Sequence, residues 1–113
     1  MILAPGRVVA APGRVTVRSP WSRRTVRTDR LAALRWPYGI EQRLVLTDVG
    51  GGRAEIGVRV LLANPPLWLL LEADARTSRR NGMLTKGVQD LDRLARRVER
   101  DTAHSVFTIW GLH

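Results

Sequence analysis

The chain reads as an α+β domain, a bent antiparallel sheet or small split barrel capped by C-terminal helices, and three observations predict it. Short runs of β-branched residues separated by Pro-Gly and glycine-rich turns fill the first half. Beyond Val60 the apolar period changes from two to about 3.6 residues. The 113 residues, 44% hydrophobic and 26% charged, have the length and composition of one globular unit.

In chain order, Pro5-Gly6 and Pro12-Gly13 each precede an Arg-Val step, at Arg7-Val8 and Arg14-Val15, as turns do before short strands. Together they double the string APGRV, which is too short to mark a repeat fold. Ser19-Pro20-Trp21-Ser22 then turns the chain into a strand at Arg23 to Asp29. Leu31 to Trp36 follows, closed by a turn at Pro37-Tyr38-Gly39. Arg43 to Thr47 and Arg53 to Val60 form a hairpin around the loop from Asp48 to Gly52. In its second strand Ala54, Ile56, Val58 and Val60 alternate with Arg53, Glu55, Gly57 and Arg59, so one face meets a core and the other water. Val15 and Val17 likewise face away from Arg14, Thr16 and Arg18, which places arginines on an outer sheet surface.

Helical signals take over after Val60. Asn64 as N-cap, Pro65 in the first turn and Gly82 after Asn81 as the stop predict a helix over 65–80. Its start, Leu67 to Leu71, is apolar on nearly every side and is expected to be wedged between two surfaces. A second helix over 86–103 carries the stripe Val88, Leu91, Leu94, Ala95 and Val98. On its outer face Asp92 with Arg96, and Arg97 with Asp101, stand at i,i+4 ion-pair spacing, and a solvated, salt-bridged face is the expectation. Val106 to Trp110 reads as a terminal strand. Strands over about 7–60, the two helices and this last strand make a single domain over 1–113. Trp36 and Trp68 are core candidates. Trp21, in a turn beside Arg23 and Arg24, is a candidate interface residue.

Charge is unevenly spread. The first 35 residues hold eight arginines against the single acid Asp29, a net +7 of the chain's +9, whereas residues 36–75 are net −2. A G+C-rich coding sequence would account for 18 arginines against one lysine, Lys86, but not for their clustering. Guanidinium groups make forked hydrogen bonds to phosphate and carboxylate, so the cluster points to an anionic partner.

Several function classes recede on composition alone. With no cysteine there is no disulfide, thiolate nucleophile or Cys-ligated metal. His104 and His113 are the only histidines, which leaves neither a metal site nor a Ser-His-Asp arrangement, and no cofactor is expected. Gly50 to Gly52 lack a following Lys-Ser or Lys-Thr and read as a hairpin loop; Asp48 beside them reads as a turn residue. No apolar run approaches the ~20 residues of a membrane span. The N-terminus lacks the pattern of a secretory signal, and the expected location is the cytoplasm, including the inner face of the membrane.

The strings RTVRTDRL over 24–31, QRLVL over 42–46, GRAE over 52–55, LANPPLW over 62–68 and TAHSVF over 102–107 resemble a family of uncharacterised actinobacterial proteins that carry a bacterial pleckstrin-homology-like domain. The resemblance spans about residues 14–112 and implies a bent seven-stranded sheet closed by a C-terminal helix. In some relatives of that fold an Arg or Lys cluster near the first hairpin binds phosphoinositides; the corresponding region here is Arg14, Arg18, Arg23 and Arg24. The expected role is a non-enzymatic interaction module in which Arg14, Arg18, Arg23, Arg24 and Arg27 bind an anionic surface, either lipid headgroups or an acidic protein. A nucleic-acid-binding module is the alternative. Open edge strands also allow a homo-oligomer.

Overall fold

Two antiparallel meanders and three helices surround one apolar core in the computed structural model, which describes the backbone of residues 2–4, 8–18, 23–37 and 42–110 and, within these, side chains from 8 to 103. The first meander runs β1 (Ile2–Ala4), β2 (Val8–Ala11), β3 (Arg14–Arg18) and β4 (Arg23–Val26), each paired with the next. A 3-10 turn at Thr28–Arg30 leads to the second, β5 (Leu31–Arg35), β6 (Arg43–Asp48) and β7 (Arg53–Gly57). Strand β7 packs against β3 and β4, which brings the two sheets together around the core. The expected α+β class, with sheet first and helices after, is what the chain forms. Of the expected turns, Pro5-Gly6, Ser19 to Ser22 with Trp21, and Tyr38-Gly39 lie outside the described residues.

Local chemistry explains the strand ends. Between β2 and β3, Pro12 supplies a fixed φ and Gly13 adopts φ +81°, the Pro-Gly order of a type II turn. Leu31, Leu34, Leu44, Leu46, Ala54 and Ile56 point inward and are at most 2% exposed. Strand β1 was not foreseen, because three residues are too few to show a period; it pairs Ile2 with Ala10 and Ala4 with Val8.

Two expected strands are helical. The strand expected through Val60 stops at Gly57, and Val58–Ala63 form a short helix, α1. Val58 is fully buried as the alternation required, but it and Leu61 reach the core from one helical face at i,i+3 spacing. The terminal strand expected at Val106 to Trp110 is instead the end of helix α3 (Val88–Trp110). The β-branched and aromatic residues there favour a strand on propensity alone. Extending an existing helix costs far less than starting a new element, and neither glycine nor proline interrupts before Gly111.

Helix α2 (Pro65–Arg80) has the expected limits, with Pro65 in its first turn and Gly82 at φ +75° just beyond its end. Asn64 stands at its N-cap position, but its side chain donates backward to the Val60 carbonyl oxygen at 2.7 Å and leaves the α2 amides to its backbone oxygen. Trp68 is 4% and Trp36 9% exposed, both in the core as expected. Between α2 and α3 the chain passes along the free edge of β5. There the Leu34 N–H donates to the Lys86 carbonyl at 3.0 Å and the Thr85 N–H to the Ala32 carbonyl at 3.2 Å. Gly87, at φ +90°, sits so close that a Cβ would fall 1.5 Å from the Leu34 oxygen. Only glycine fits this crossing.

Candidate anion-binding face

Pairing register decides which arginines meet. Arg18 lies directly opposite Arg23 and Thr16 opposite Thr25. Because side chains alternate along a strand, Arg14, Thr16 and Arg18 of β3 share one face with Arg23 and Thr25 of β4 and with Val9 and Ala11 of β2. That face looks away from the core and holds a shallow trough of about 230 Å³ lined by these residues. Its floor is polar at the centre, where the Thr16 and Thr25 hydroxyls are hydrogen-bonded at 3.0 Å, and apolar at Val9 and Ala11.

The trough is positive without local compensation. Arg14, Arg18 and Arg23 are exposed, and among the described residues no carboxylate lies within 4 Å of their guanidinium groups. Directly opposite side chains on an antiparallel pair have Cβ atoms about 5 Å apart, and like charges there destabilise the sheet. Arg14 stands about 13 Å along β3 from Arg18. The face thus offers a guanidinium pair at one end and a single guanidinium at the other.

The remaining arginines of the basic N-terminal region are placed differently. Arg24 pairs with Val17 and so points to the opposite side of β4, into a separate depression of about 260 Å³ beside Arg53 and Glu55. Arg27 is committed to the fold. Its guanidinium meets Asp29 in a forked pair, Nη2 to Oδ2 at 3.0 Å and Nε to Oδ1 at 3.2 Å, and Nε also donates to the Gly13 carbonyl at 3.2 Å. The hydrogen bond to Asp29 and the charge of that carboxylate raise the Arg27 pKa, and the Arg27 bond holds Asp29 below the ordinary carboxylate range. Of the five expected anion-binding arginines, the fold gathers three on one face.

What holds that face in place was less visible in the sequence. The Gly13 turn beside Arg14 is pinned from two sides: its carbonyl by Arg27, and its N–H by Asp74 of α2 at 3.1 Å. Asp74 also accepts the Thr28 hydroxyl at 2.6 Å. Ser78, fully buried one turn on, accepts the Leu31 N–H and lies 3.0 Å from the carbonyl oxygens of Thr28 and Asp74, which share its hydroxyl proton. Beyond β4, the Asp48 carboxylate accepts the N–H groups of Arg27, Gly50 and Gly52 at 2.8 to 2.9 Å. Burial pushes the Asp48 pKa up, but those three backbone donors and the nearby Arg27 charge outweigh it and hold the group ionised below the usual range. Asp48 is thus the turn residue its setting suggested, and it also ties the first sheet to the second.

On α3 the expected pairs Asp92–Arg96 and Arg97–Asp101 do not form; Arg93 meets Asp90 at 3.7 Å instead. Exposed pairs gain too little to fix two long side chains unless something else orients them. Here Trp36 does so. Its backbone N–H donates to Asp90 at 2.9 Å, its backbone carbonyl accepts from Arg93, and the Arg93 guanidinium lies 4.4 Å from its ring centroid. His104 falls within α3, while Trp21, Glu41 and His113 lie outside the described residues. Among the described residues no three His, Asp or Glu side chains are grouped as a metal site, and no helix is long and apolar enough to cross a membrane. In comparisons with known proteins, no family model, curated protein or solved structure matches the chain.

Proposed function

We propose that the chain is a non-enzymatic interaction module of pleckstrin-homology-like build, whose outer sheet face at Arg14, Arg18 and Arg23 binds the anionic headgroups of a membrane surface. A single observation carries this: two arginines directly opposite each other across β3 and β4, on the same face as a third, with no carboxylate of the described residues within reach. A charge arrangement that weakens the free sheet is relieved when phosphate or carboxylate groups enter between the guanidinium groups. Among the described residues, seven strands divided four and three, followed by helices, support the same reading of the build. The inner leaflet of the membrane is then the working location.

Nucleic acid is the second reading. Against it, none of the described residues lining the trough is aromatic, so bases find no stacking platform there. The test is co-sedimentation with vesicles of phosphatidylcholine and phosphatidylserine at 4:1, beside anisotropy with single- and double-stranded oligonucleotides, both titrated with salt. Vesicle binding is expected to fall about tenfold or more in an Arg18→Glu, Arg23→Glu double variant, since each basic residue near an anionic surface contributes about 1 kcal/mol. Oligonucleotide binding at physiological salt without vesicle binding would put the second reading in its place.

A further inference from the structure

The centre of the sheet trough holds a hydrogen-bond donor that the fold leaves unused. The Thr16 and Thr25 hydroxyls share one hydrogen bond at 3.0 Å, which takes one of their two O–H protons. The other proton has no acceptor among the described residues. Two residues along each strand, about 7 Å away on the same face, Arg18 and Arg23 stand directly opposite each other with Cβ atoms about 5 Å apart. Neither guanidinium has an ion-pair partner among the described residues. Two full positive charges and one spare hydroxyl proton therefore border the same trough.

We infer that Arg18, Arg23 and the Thr16 and Thr25 hydroxyls form a clamp for one phosphate monoester, so that the face prefers headgroups ending in a monoester to phosphodiester headgroups. The inference rests on the headgroup reading above and narrows it. Charge is the first reason. With a second pKa of about 6, a monoester carries close to two negative charges at neutral pH and neutralises both opposed guanidinium groups. A diester carries one and leaves half of the repulsion across the strands in place. Oxygen count is the second reason. A monoester presents three terminal oxygens, one for each arginine and one for the hydroxyl, whereas a diester presents two. A carboxylate falls short in both respects, which sets acidic protein side chains behind a phosphate. Arg24, on the other side of β4, takes no part.

The test is co-sedimentation of the full chain with phosphatidylcholine vesicles containing either phosphatidic acid, a monoester, or phosphatidylglycerol, a diester, in amounts that give equal zeta potentials. Binding is expected to be about tenfold tighter to phosphatidic acid. Arg18→Ala and Arg23→Ala should each remove most of that preference, whereas Arg24→Ala removes the same charge and leaves it unchanged. A Thr16→Val, Thr25→Val variant keeps the side-chain shape and should lower the preference about fivefold without altering phosphatidylglycerol binding. Soluble glycerol 3-phosphate and dimethyl phosphate are compared in parallel by amide chemical shifts over 16–18 and 23–25. Equal binding to the two vesicles, or a preference that survives in the Arg18 and Arg23 variants, would overturn the clamp and leave the headgroup reading standing. Shifts with glycerol 3-phosphate without binding to either vesicle would keep the clamp, for a soluble phosphate monoester, and overturn the headgroup reading. Absence of both would overturn the two together.

Discussion

The outer face of the first sheet and the outer face of α3 both present arginines, and they differ in what stands between them. On the sheet, Arg18 meets Arg23 across the strands and threonines fill the centre; on the helix, Arg96 and Arg100 stand one turn apart on one side with Glu99 beside them. One surface is uniformly positive over about 13 Å, the other carries both signs within about one helical turn. Net charge treats the two alike, whereas spacing and sign order tell them apart. The proposed headgroup contact rests on the first alone.

The comparison is broken most severely by removing the support of α3. Gly87→Ala forces a methyl group into the Leu34 carbonyl and an L side chain into a left-handed conformation. The expected loss is about 3 kcal/mol or more in urea unfolding, and a variant within 1 kcal/mol of the parent would show that this crossing is not tight. Next in size is Asp48→Asn, which leaves three backbone N–H groups with a poorer acceptor and loosens the first sheet from the second; about 2 kcal/mol is expected. Because the folded Asp48 pKa lies below its ordinary 3.8, its contribution is complete above that value and is lost as pH falls through the lower, folded value. Unfolding scans below pH 4 should therefore steepen in the parent and flatten in the variant.

Smaller changes sharpen the contrast instead. Arg18→Glu places an acid opposite Arg23 and should raise stability by about 0.2 to 1 kcal/mol while weakening vesicle binding. A variant that binds less and melts higher would separate the role of this pair from any structural one; lower stability would argue that the pair supports the fold. The smallest effect belongs to Arg96→Ala with Arg100→Ala, expected within about 0.5 kcal/mol of the parent by thermal melting, because neither side chain has an ion-pair partner among the described residues.

The legible parts of the chain were those governed by local period and punctuation. The alternation around Val15 and Val17 placed Arg14 and Arg18 outside, and Pro65 with Gly82 bounded α2. Alternation failed at Val58, where the core residue is right and the element wrong, because a buried position at every second residue is also met by a strand running into a helix. Propensity failed at Val106 to Trp110 for the cooperative reason given above. Which arginines gather depended on register: one step along β4 separates Arg23, in the trough, from Arg24, on the other side. Contacts set by tertiary closeness, such as Asp74 on the Gly13 turn or Gly87 against Leu34, join residues 61 and 53 positions apart and leave no local trace.

The opposed arginines of β3 and β4 also make the response to ionic strength diagnostic. In the free protein, added salt screens their repulsion and should raise the melting temperature slightly. With an anion bound, the same salt weakens the complex and removes the stabilisation that occupancy confers. Melting curves of the free and occupied protein should therefore converge as salt is added. The width of the gap at low salt then ranks candidate anions without a label or an immobilised partner.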